Sequence, residues 1–261
     1  MTNRIDKLFA AKRRNILSVY FTAGYPQPDD TASIIRELAA QGADMVEVGI
    51  PFSDPMADGP VIQQSGTAAL KNGMTLRKLF SQLEEIRSHA SLPLIMMGYL
   101  NPVMQLGVEE FCRRCGEVGV DGVIIPDLPF KDYTERFKAL GDKYGIRFIM
   151  LITPETSDER IRLIDDNTSG FIYMVSTAST TGAKDRFDEK TLAYFRRIDG
   201  MSLRNPRLIG FGVSNKATLD AAFANANGAI IGSEFIRLLG AEQSIAGAVS
   251  TLMKKISQGK G

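Results

Sequence analysis

The sequence predicts a (β/α)₈ barrel, because eight short apolar runs alternate with longer amphipathic segments along 261 residues. A chain of this length is normal for one such barrel, which typically needs about 250 residues. The first apolar run is not followed by the glycine-rich turn that binds dinucleotides. An open, doubly wound sheet remains the alternative, although such sheets usually contain fewer strands.

The apolar runs are nearly continuous in hydrophobic residues, which is typical of parallel strands covered by helices. No linker or low-complexity segment divides the chain, so we expect a single domain over residues 1–261. In chain order, the predicted strands are 16–21, 45–50, 93–98, 122–126, 147–152, 170–175, 207–212 and 228–233.

The segments between the strands repeat apolar residues at helical spacing, and several begin after Ser, Thr or Asp and end near a glycine. Gly42, Gly141 and Gly145 are expected at helix C-termini. The leading segment 4–14 is expected to be an extra helix that closes the bottom of the barrel. The clearest helical patterns lie at 30–43, 76–90, 132–145 and 157–167.

Charge and composition exclude several classes of function. The 31 Lys and Arg residues nearly cancel the 30 Asp and Glu residues, and the longest basic run is 12–14, so no nucleic-acid or membrane partner is indicated. The N-terminal segment is charged where a signal peptide would be apolar, and no stretch approaches the roughly 18 apolar residues of a membrane span. The sequence therefore predicts a cytoplasmic protein.

Glu47 is the first candidate for chemistry, because it lies inside the apolar strand MVEVGI. A buried carboxylate costs several kcal/mol unless it is hydrogen-bonded or protonated. If Glu47 points into the barrel mouth, burial raises its pKa and suits it to general acid–base catalysis near neutral pH. The alternative is that it points outward to a helix, or that the strand has a different register.

The loop PFSDPMADGP (51–60) follows this strand, at the end of the barrel where active sites lie. Its prolines reduce the entropy lost when a long loop is ordered over the barrel mouth. Asp54, between Ser53 and Pro55, is best interpreted as turn chemistry. Asp58, at the far end of the loop, is the better functional candidate.

Glycine-bearing segments after the seventh and eighth strands predict a phosphate site, since barrels often bind phosphate there through backbone N–H groups and a short helix N-terminus. Gly212, Ser214, Gly232 and Ser233 fit this geometry. A third loop, 176–185, follows the sixth strand and is expected to close over the same group.

The cysteine, histidine and lysine residues limit the classes of reaction that the chain is expected to catalyse. Cys112 and Cys115 lie in a helical pattern without thioredoxin-like surroundings and are interpreted as structural, and His89 is expected in solvent. So few cysteines and histidines argue against a catalytic metal, and the absence of lysine from the predicted strands argues against a Schiff base. The residues thus predict cofactor-free acid–base chemistry on a phosphorylated metabolite.

Six segments match one family. VEVGIPFSDPMADGPVIQQS (46–65) resembles the signature of the tryptophan synthase alpha subunit family. The match continues in FTAGYP (21–26), GYLNPV (98–103), IIPDLP (124–129), STTGAKD (179–185) and GFGVS (210–214). It therefore runs through nearly the whole chain.

The resemblance implies a (β/α)₈ barrel that cleaves indole-3-glycerol phosphate to indole and glyceraldehyde 3-phosphate without a cofactor. Glu47 would be the general acid/base that protonates indole C3 and helps to deprotonate the glycerol hydroxyl. Asp58 would accept the indole N–H and stabilise the positive charge that develops on the ring.

The resemblance also implies binding residues. Tyr173 would orient Glu47 or the substrate, and Thr181 would help the loop after the sixth strand to close on Asp58. Ser179 and Thr180 stand where many members carry a glycine, which bears on loop closure and turnover rather than on the reaction. Gly182, Gly212, Gly232 and Ser233 would bind the phosphate, and Tyr20, Met97, Tyr173 and Phe211 would line the indole pocket.

The partner that the resemblance implies is a beta subunit that carries pyridoxal phosphate, in an αββα complex. Its contact surfaces would be the loop 51–60 and the segment around Asn101 and Pro102.

Two further hypotheses stay open. One is an inactive barrel that only binds and activates a beta subunit, against which the presence of both carboxylates speaks. The other is a related phosphate-binding barrel such as an isomerase or the indole-glycerol phosphate synthase, a family expected to use lysines at strand ends.

Overall fold

The computed structural model describes residues 3–176 and 186–257, and its eight parallel strands close into a barrel in chain order. This closure decides between the two predicted architectures in favour of the (β/α)₈ barrel. The strands are β1 (Ile16–Thr22), β2 (Met45–Gly49), β3 (Leu94–Met97), β4 (Gly122–Ile124), β5 (Arg147–Ile152), β6 (Ile172–Val175), β7 (Arg207–Gly210) and β8 (Gly228–Ile231).

Several strands are shorter than predicted at their C-terminal ends. β7 ends at Gly210 because Phe211 and Gly212 adopt positive φ angles of 65° and 72°, which no strand continues through. β8 ends at Ile231 because Gly232 begins the next helix. The residues beyond these ends form the loops above the barrel.

Helices cover the outside of the barrel. The segment 76–90, predicted as one helix, divides into a helix and the 3₁₀ turn Ile86–Ser88. In the helical segment before β5, the turn Tyr133–Phe137 is π-helical. The helices are α1 (Arg4–Ala11), α2 (Thr31–Ala40), α3 (Pro60–Lys71), α4 (Leu76–Leu83), α5 (Leu100–Leu106), α6 (Val108–Val118), α7 (Phe130–Asp132), α8 (Lys138–Tyr144), α9 (Asp158–Asn167), α10 (Glu189–Asp199), α11 (Lys216–Asn225), α12 (Ser233–Ala241) and α13 (Ile245–Ser257). No helix within the described ranges has the length and apolar character needed to cross a membrane.

The glycine predictions hold at two of three positions. Gly145 ends α8 at a φ of 73°, and Gly42 follows α2 at a φ of 94°. The prediction for Gly141 is wrong, because this residue lies inside α8. A Cβ there would come within 2.9 Å of the Ile146 carbonyl oxygen, so glycine lets the helix pack closely against the strand that follows.

Alternate residues of each strand point into the barrel, where they form an apolar cluster separate from the larger one under the helices. α1 closes the bottom of this interior, as the sequence predicts. Ile5 on α1 is fully buried in the interior cluster, and the Phe9 ring lies 6.1 Å from that of Phe171.

The cysteines and the histidine take no part in this interior. Cys112 and Cys115 are buried and unbridged on α6, and burial raises the pKa of Cys112 to about 12. Cys115 Sγ lies 3.8 Å from Met96 Sδ in the outer core, which fits the structural interpretation. His89 is exposed at the end of the 3₁₀ turn, as expected.

One buried carboxylate joins the elements at the bottom of the barrel. Asp121 is only 3% exposed and precedes β4. Its oxygens accept hydrogen bonds from Arg87 Nη2 at 2.7 Å, from Arg4 Nη1 at 3.1 Å and from the Leu94 backbone N–H at 3.0 Å. The contacts connect α1, the 3₁₀ turn and β3.

We expect Asp121→Ala to lower the free energy of unfolding by about 3 kcal/mol or more, since it leaves buried donors without their acceptor. Urea denaturation at neutral pH measures this. Asp166→Ala, which removes an exposed carboxylate on α9, is the control and should change stability by less than about 0.5 kcal/mol. Equal effects of the two substitutions would contradict the bridging role of Asp121.

Candidate active site

Glu47 lies on the inward face of β2, with no exposed surface. Its Oε1 accepts a 2.8 Å hydrogen bond from the Ser18 hydroxyl on β1, while its Oε2 is buried without a partner among the described residues. Burial raises the pKa of Glu47 to about 8, against which the bond from Ser18 acts. The outward orientation is therefore wrong, and the carboxyl group carries a proton through much of the neutral range.

Tyr20 and Tyr173 lie near Glu47, and a glycine on a neighbouring strand makes room for the hydroxyl group of each. Cβ atoms at Gly49 and Gly210 would collide with the hydroxyl groups of Tyr20 and Tyr173 respectively. Burial raises the pKa of both tyrosines well above the usual value, so both stay neutral where Glu47 titrates. Glycine at the upper ends of β2 and β7 thus makes room for two phenols beside the acid.

Asp58 is half-buried in the loop after β2, and burial raises its pKa. The hydroxyl of Tyr99 donates a hydrogen bond to its carboxylate, which opposes this rise. The same hydroxyl accepts the Ala57 N–H at 2.9 Å, and the Tyr99 ring packs 5.2 Å from that of Phe52. Tyr99 therefore connects the loop to the end of β3.

Asp54 lies apart from this arrangement. Its side chain is exposed and accepts a hydrogen bond from the neighbouring Ser53 hydroxyl. The contact is local to the turn, in keeping with the interpretation of Asp54 as turn chemistry.

The predicted phosphate residues fall at two backbone features above β7 and β8. Phe211 and Gly212 both have positive φ, and the Ser176 hydroxyl fixes this turn by donating to the Phe211 carbonyl at 2.6 Å. Gly232 is the N-cap of α12 and Ser233 its first residue, and no described side chain caps this helix. N–H groups of its first turn are therefore open to an anion.

Ser214 lies two residues beyond Gly212 in the same loop. Its backbone N–H donates to the Thr218 hydroxyl at 3.1 Å, at the start of α11. This N–H is therefore not available to a phosphate, whereas the Ser214 hydroxyl stays a predicted donor.

The remaining indole-pocket candidates also lie around the mouth. Met97 is buried on the inward face of β3, and the Phe211 ring lies 6.1 Å from the Tyr173 ring at an angle of 71°. Thr181 and Gly182, with Ser179 and Thr180, fall outside the described residues.

Matches to known proteins show what kind of barrel this is. The family model for the tryptophan synthase alpha chain matches residues 7–259. The chain belongs to the tryptophan synthase alpha chain family. It is therefore a lyase of the tryptophan synthase family.

Relatives with this description cover almost the whole chain. The alpha chain of Parabacteroides distasonis is 62% identical over 256 residues, covering 98% of this chain and 100% of the relative. That of Bacteroides fragilis is 58% identical over 250 residues, covering 96% of this chain and 95% of the relative.

Solved alpha-subunit structures share the fold. The subunit from Legionella pneumophila superimposes with a TM-score of 0.86 at 32% identity, covering 98% of this chain and 97% of that one. The subunit from the hyperthermophile Pyrococcus furiosus gives a TM-score of 0.84 at 36% identity, covering 94% of this chain and 98% of that one.

Sequence reasoning missed two residues of this site. Tyr99 entered only as part of the family motif GYLNPV, although a tyrosine directly after a strand is a candidate by position. Ser18 could have been found as the one small hydroxyl residue on the inward face of β1 between Ile16 and Tyr20. Neither residue is as conspicuous in the sequence as Glu47, because neither places a charge inside an apolar run.

Burial of Glu47 makes the free energy of unfolding depend on pH. The folded protein holds the Glu47 proton up to about pH 8, whereas the unfolded chain releases it near the usual value of 4.5. Stability therefore falls as pH rises between these values, by on the order of 4 kcal/mol from this group. We expect Glu47→Gln, which cannot ionise, to gain stability relative to wild type over this window in urea denaturation. A constant difference from pH 5 to 9 would contradict the burial of an ionisable Glu47.

Tyr99→Phe tests the link to Asp58. Loss of the donated hydrogen bond should raise the pKa of Asp58 further, by about one unit in an NMR titration of ¹³C-labelled aspartate carboxyl groups. Tyr144→Phe, which removes a hydroxyl bonded to Glu109 on the outside of the barrel, is the matched control. An unchanged Asp58 titration in Tyr99→Phe would show that this hydroxyl does not act on Asp58.

Proposed function

We propose that the chain cleaves indole-3-glycerol phosphate to indole and glyceraldehyde 3-phosphate, the alpha reaction of tryptophan synthesis, with Glu47 and Asp58 as its two catalytic groups. Membership of the family supports the reaction. The observation that carries the assignment to residues is a fully buried carboxyl group inside the barrel, whose pKa burial raises to about 8, with a second carboxyl group in the loop above it.

Glu47 serves as both acid and base. Its carboxylic acid gives a proton to indole C3, and the resulting carboxylate takes the proton of the hydroxyl on the adjoining glycerol carbon. The bond between that carbon and C3 then breaks, its electron pair returns to the indole ring, and the carbon becomes the aldehyde. Glu47 ends protonated again, now with the proton of the hydroxyl group, so the acid is regenerated and the step needs no cofactor.

Asp58 acts through its charge. Protonation at C3 places positive charge on the indole ring, and a carboxylate that accepts the ring N–H stabilises it. This role requires the ionised form, and the hydrogen bond from Tyr99 favours that form against the effect of burial on the Asp58 pKa.

The phosphate group and the indole ring of the substrate are each assigned to residues of matching chemistry. The phosphate binds the uncapped N-terminus of α12 at Gly232 and Ser233 and the backbone at Gly212. Gly182, in the loop after the sixth strand, is assigned to the phosphate by the family resemblance. Thr181 helps that loop to close on Asp58. The indole ring lies among Tyr20, Met97, Tyr173 and Phe211.

A beta subunit that holds pyridoxal phosphate is the proposed partner, in an αββα complex in the cytoplasm. The two implied contact surfaces each carry an exposed apolar side chain. Met56, in the loop 51–60, is 91% exposed, and Met104 on α5, near Asn101 and Pro102, is 45% exposed. Association through these surfaces would remove the two methionine side chains from water, which is favourable.

The experiment is indole release from indole-3-glycerol phosphate by the purified chain, with Glu47→Gln and Asp58→Asn beside it. Each substitution keeps the side-chain volume and should lower kcat about 10²-fold or more. Asp54→Asn, the exposed carboxylate of the same loop, is the matched control and should retain activity.

Wild-type activity with folded, inactive Glu47→Gln and Asp58→Asn supports the proposal. An inert wild type, even with the beta subunit present, would favour the inactive barrel that serves only as a binding partner. An active Glu47→Gln would remove the acid–base assignment.

A further inference from the structure

We infer that Ser18 is a positioning residue for Glu47, holding one carboxyl oxygen so that the other is directed at the substrate. The inference rests on the proposed function, since it concerns how the proposed acid is held. Ser18 itself touches no reacting atom.

The first support is the burial of the pair. Ser18 and Glu47 both have no exposed surface, and Ser18 Oγ lies 2.8 Å from Glu47 Oε1. A buried hydroxyl without a hydrogen bond costs free energy, and Glu47 is the one side-chain partner of Ser18 in the described structure. Glu47 therefore accounts for the presence of a hydroxyl at this point.

The second support is the register of the strands. Tyr20 on β1 is the residue paired with Glu47 on β2, and Ser18 is paired with Met45. Ser18 thus stands on the same inward face two residues before Tyr20, closer to the bottom of the barrel. The bond to Ser18 draws Oε1 down, away from the mouth.

The third support is the state of the other oxygen. Glu47 Oε2 is buried and has no partner in the part of the chain that the structure describes. With Oε1 held from below, rotation of the carboxyl group is restricted and Oε2 keeps one orientation. Restricted orientation of an acid contributes to the rate because proton transfer requires a narrow geometry.

The hydrogen bond from Ser18 also lowers the pKa of Glu47, and so affects the pH range in which Glu47 can act as an acid. A hydroxyl that donates to a carboxylate favours the ionised form, so its removal raises the pKa of Glu47. The other titratable groups around Glu47 are Tyr20 from β1, Tyr173 from β6 and Asp58 from the loop above.

The other strands present little charge to Glu47. Arg147 of β5 lies at the bottom of the barrel and is paired with Asp6 of α1 at 2.7 Å. The remaining inward side chains of β3, β4, β5, β7 and β8 are apolar: Ile95, Met97, Ile124, Ile149, Leu151, Leu208 and Ile230.

The test is the pH profile of kcat/KM for Ser18→Ala. Because Glu47 must be protonated to act first as an acid, its titration forms the basic limb, near pH 8 in wild type. In Ser18→Ala this limb should move up by about one pH unit, and kcat should fall several-fold with KM nearly unchanged. The upper end of the pH window of stability loss assigned to Glu47 should move up with it, while the lower end, set by the unfolded chain, should stay in place.

Two further variants sharpen the result. Ser65→Ala makes the same chemical change at another buried hydroxyl, bonded to Thr22 at 2.7 Å, and should leave the basic limb in place. Ser18→Cys keeps the volume nearly constant but supplies only a weak donor, so its limb should lie between those of wild type and Ser18→Ala.

The outcomes separate this inference from the proposed function. If Glu47→Gln is inactive while the Ser18→Ala and Ser18→Cys profiles superimpose on wild type, Ser18 does not position Glu47 and the function stands. If Glu47→Gln remains active, the proposed function itself fails.

Discussion

The burial of one ionisable carboxyl group inside the barrel is the constraint on which the rest of the site depends. A glutamate on an inward strand face, surrounded by apolar side chains, holds its proton far above the usual pH. Such a group is costly for the fold when ionised, yet it can donate a proton near neutral pH and then accept one. The stability lost at Glu47 and the proposed acid–base chemistry have the same physical origin.

The surroundings of the barrel mouth follow from this constraint. Gly49 and Gly210 leave space for two tyrosine hydroxyls that stay neutral, so no fixed charge competes for the Glu47 proton. The second carboxylate, Asp58, is kept on a loop where it is only half-buried and where Tyr99 favours its charged form. Burial raises the pKa of both carboxyl groups, and in each a hydrogen bond from a hydroxyl opposes the rise.

The sequence predicted the barrel because the alternation of apolar runs and amphipathic segments is a local property of the chain. It identified Glu47 because a charge interrupts an apolar run. It could not identify the Tyr99 contact with Asp58, since this depends on how the loop 51–60 folds back onto the end of β3. The sequence placed the C-terminal ends of β7 and β8 too far along the chain, because glycines continue the strand pattern beyond the last sheet hydrogen bond. Gly141 was placed at a helix end because close packing and chain reversal both select glycine.

We expect the Glu47 carboxyl group to be protonated at neutral pH in the folded protein. Selective ¹³C labelling of glutamate carboxyl groups, with the Glu47→Gln spectrum to assign the resonance, allows a direct NMR titration of this group without substrate. We expect a midpoint near pH 8. A midpoint near the usual value of 4.5 would show that Glu47 is an ordinary carboxylate at neutral pH, which would contradict its proposed role as the proton donor.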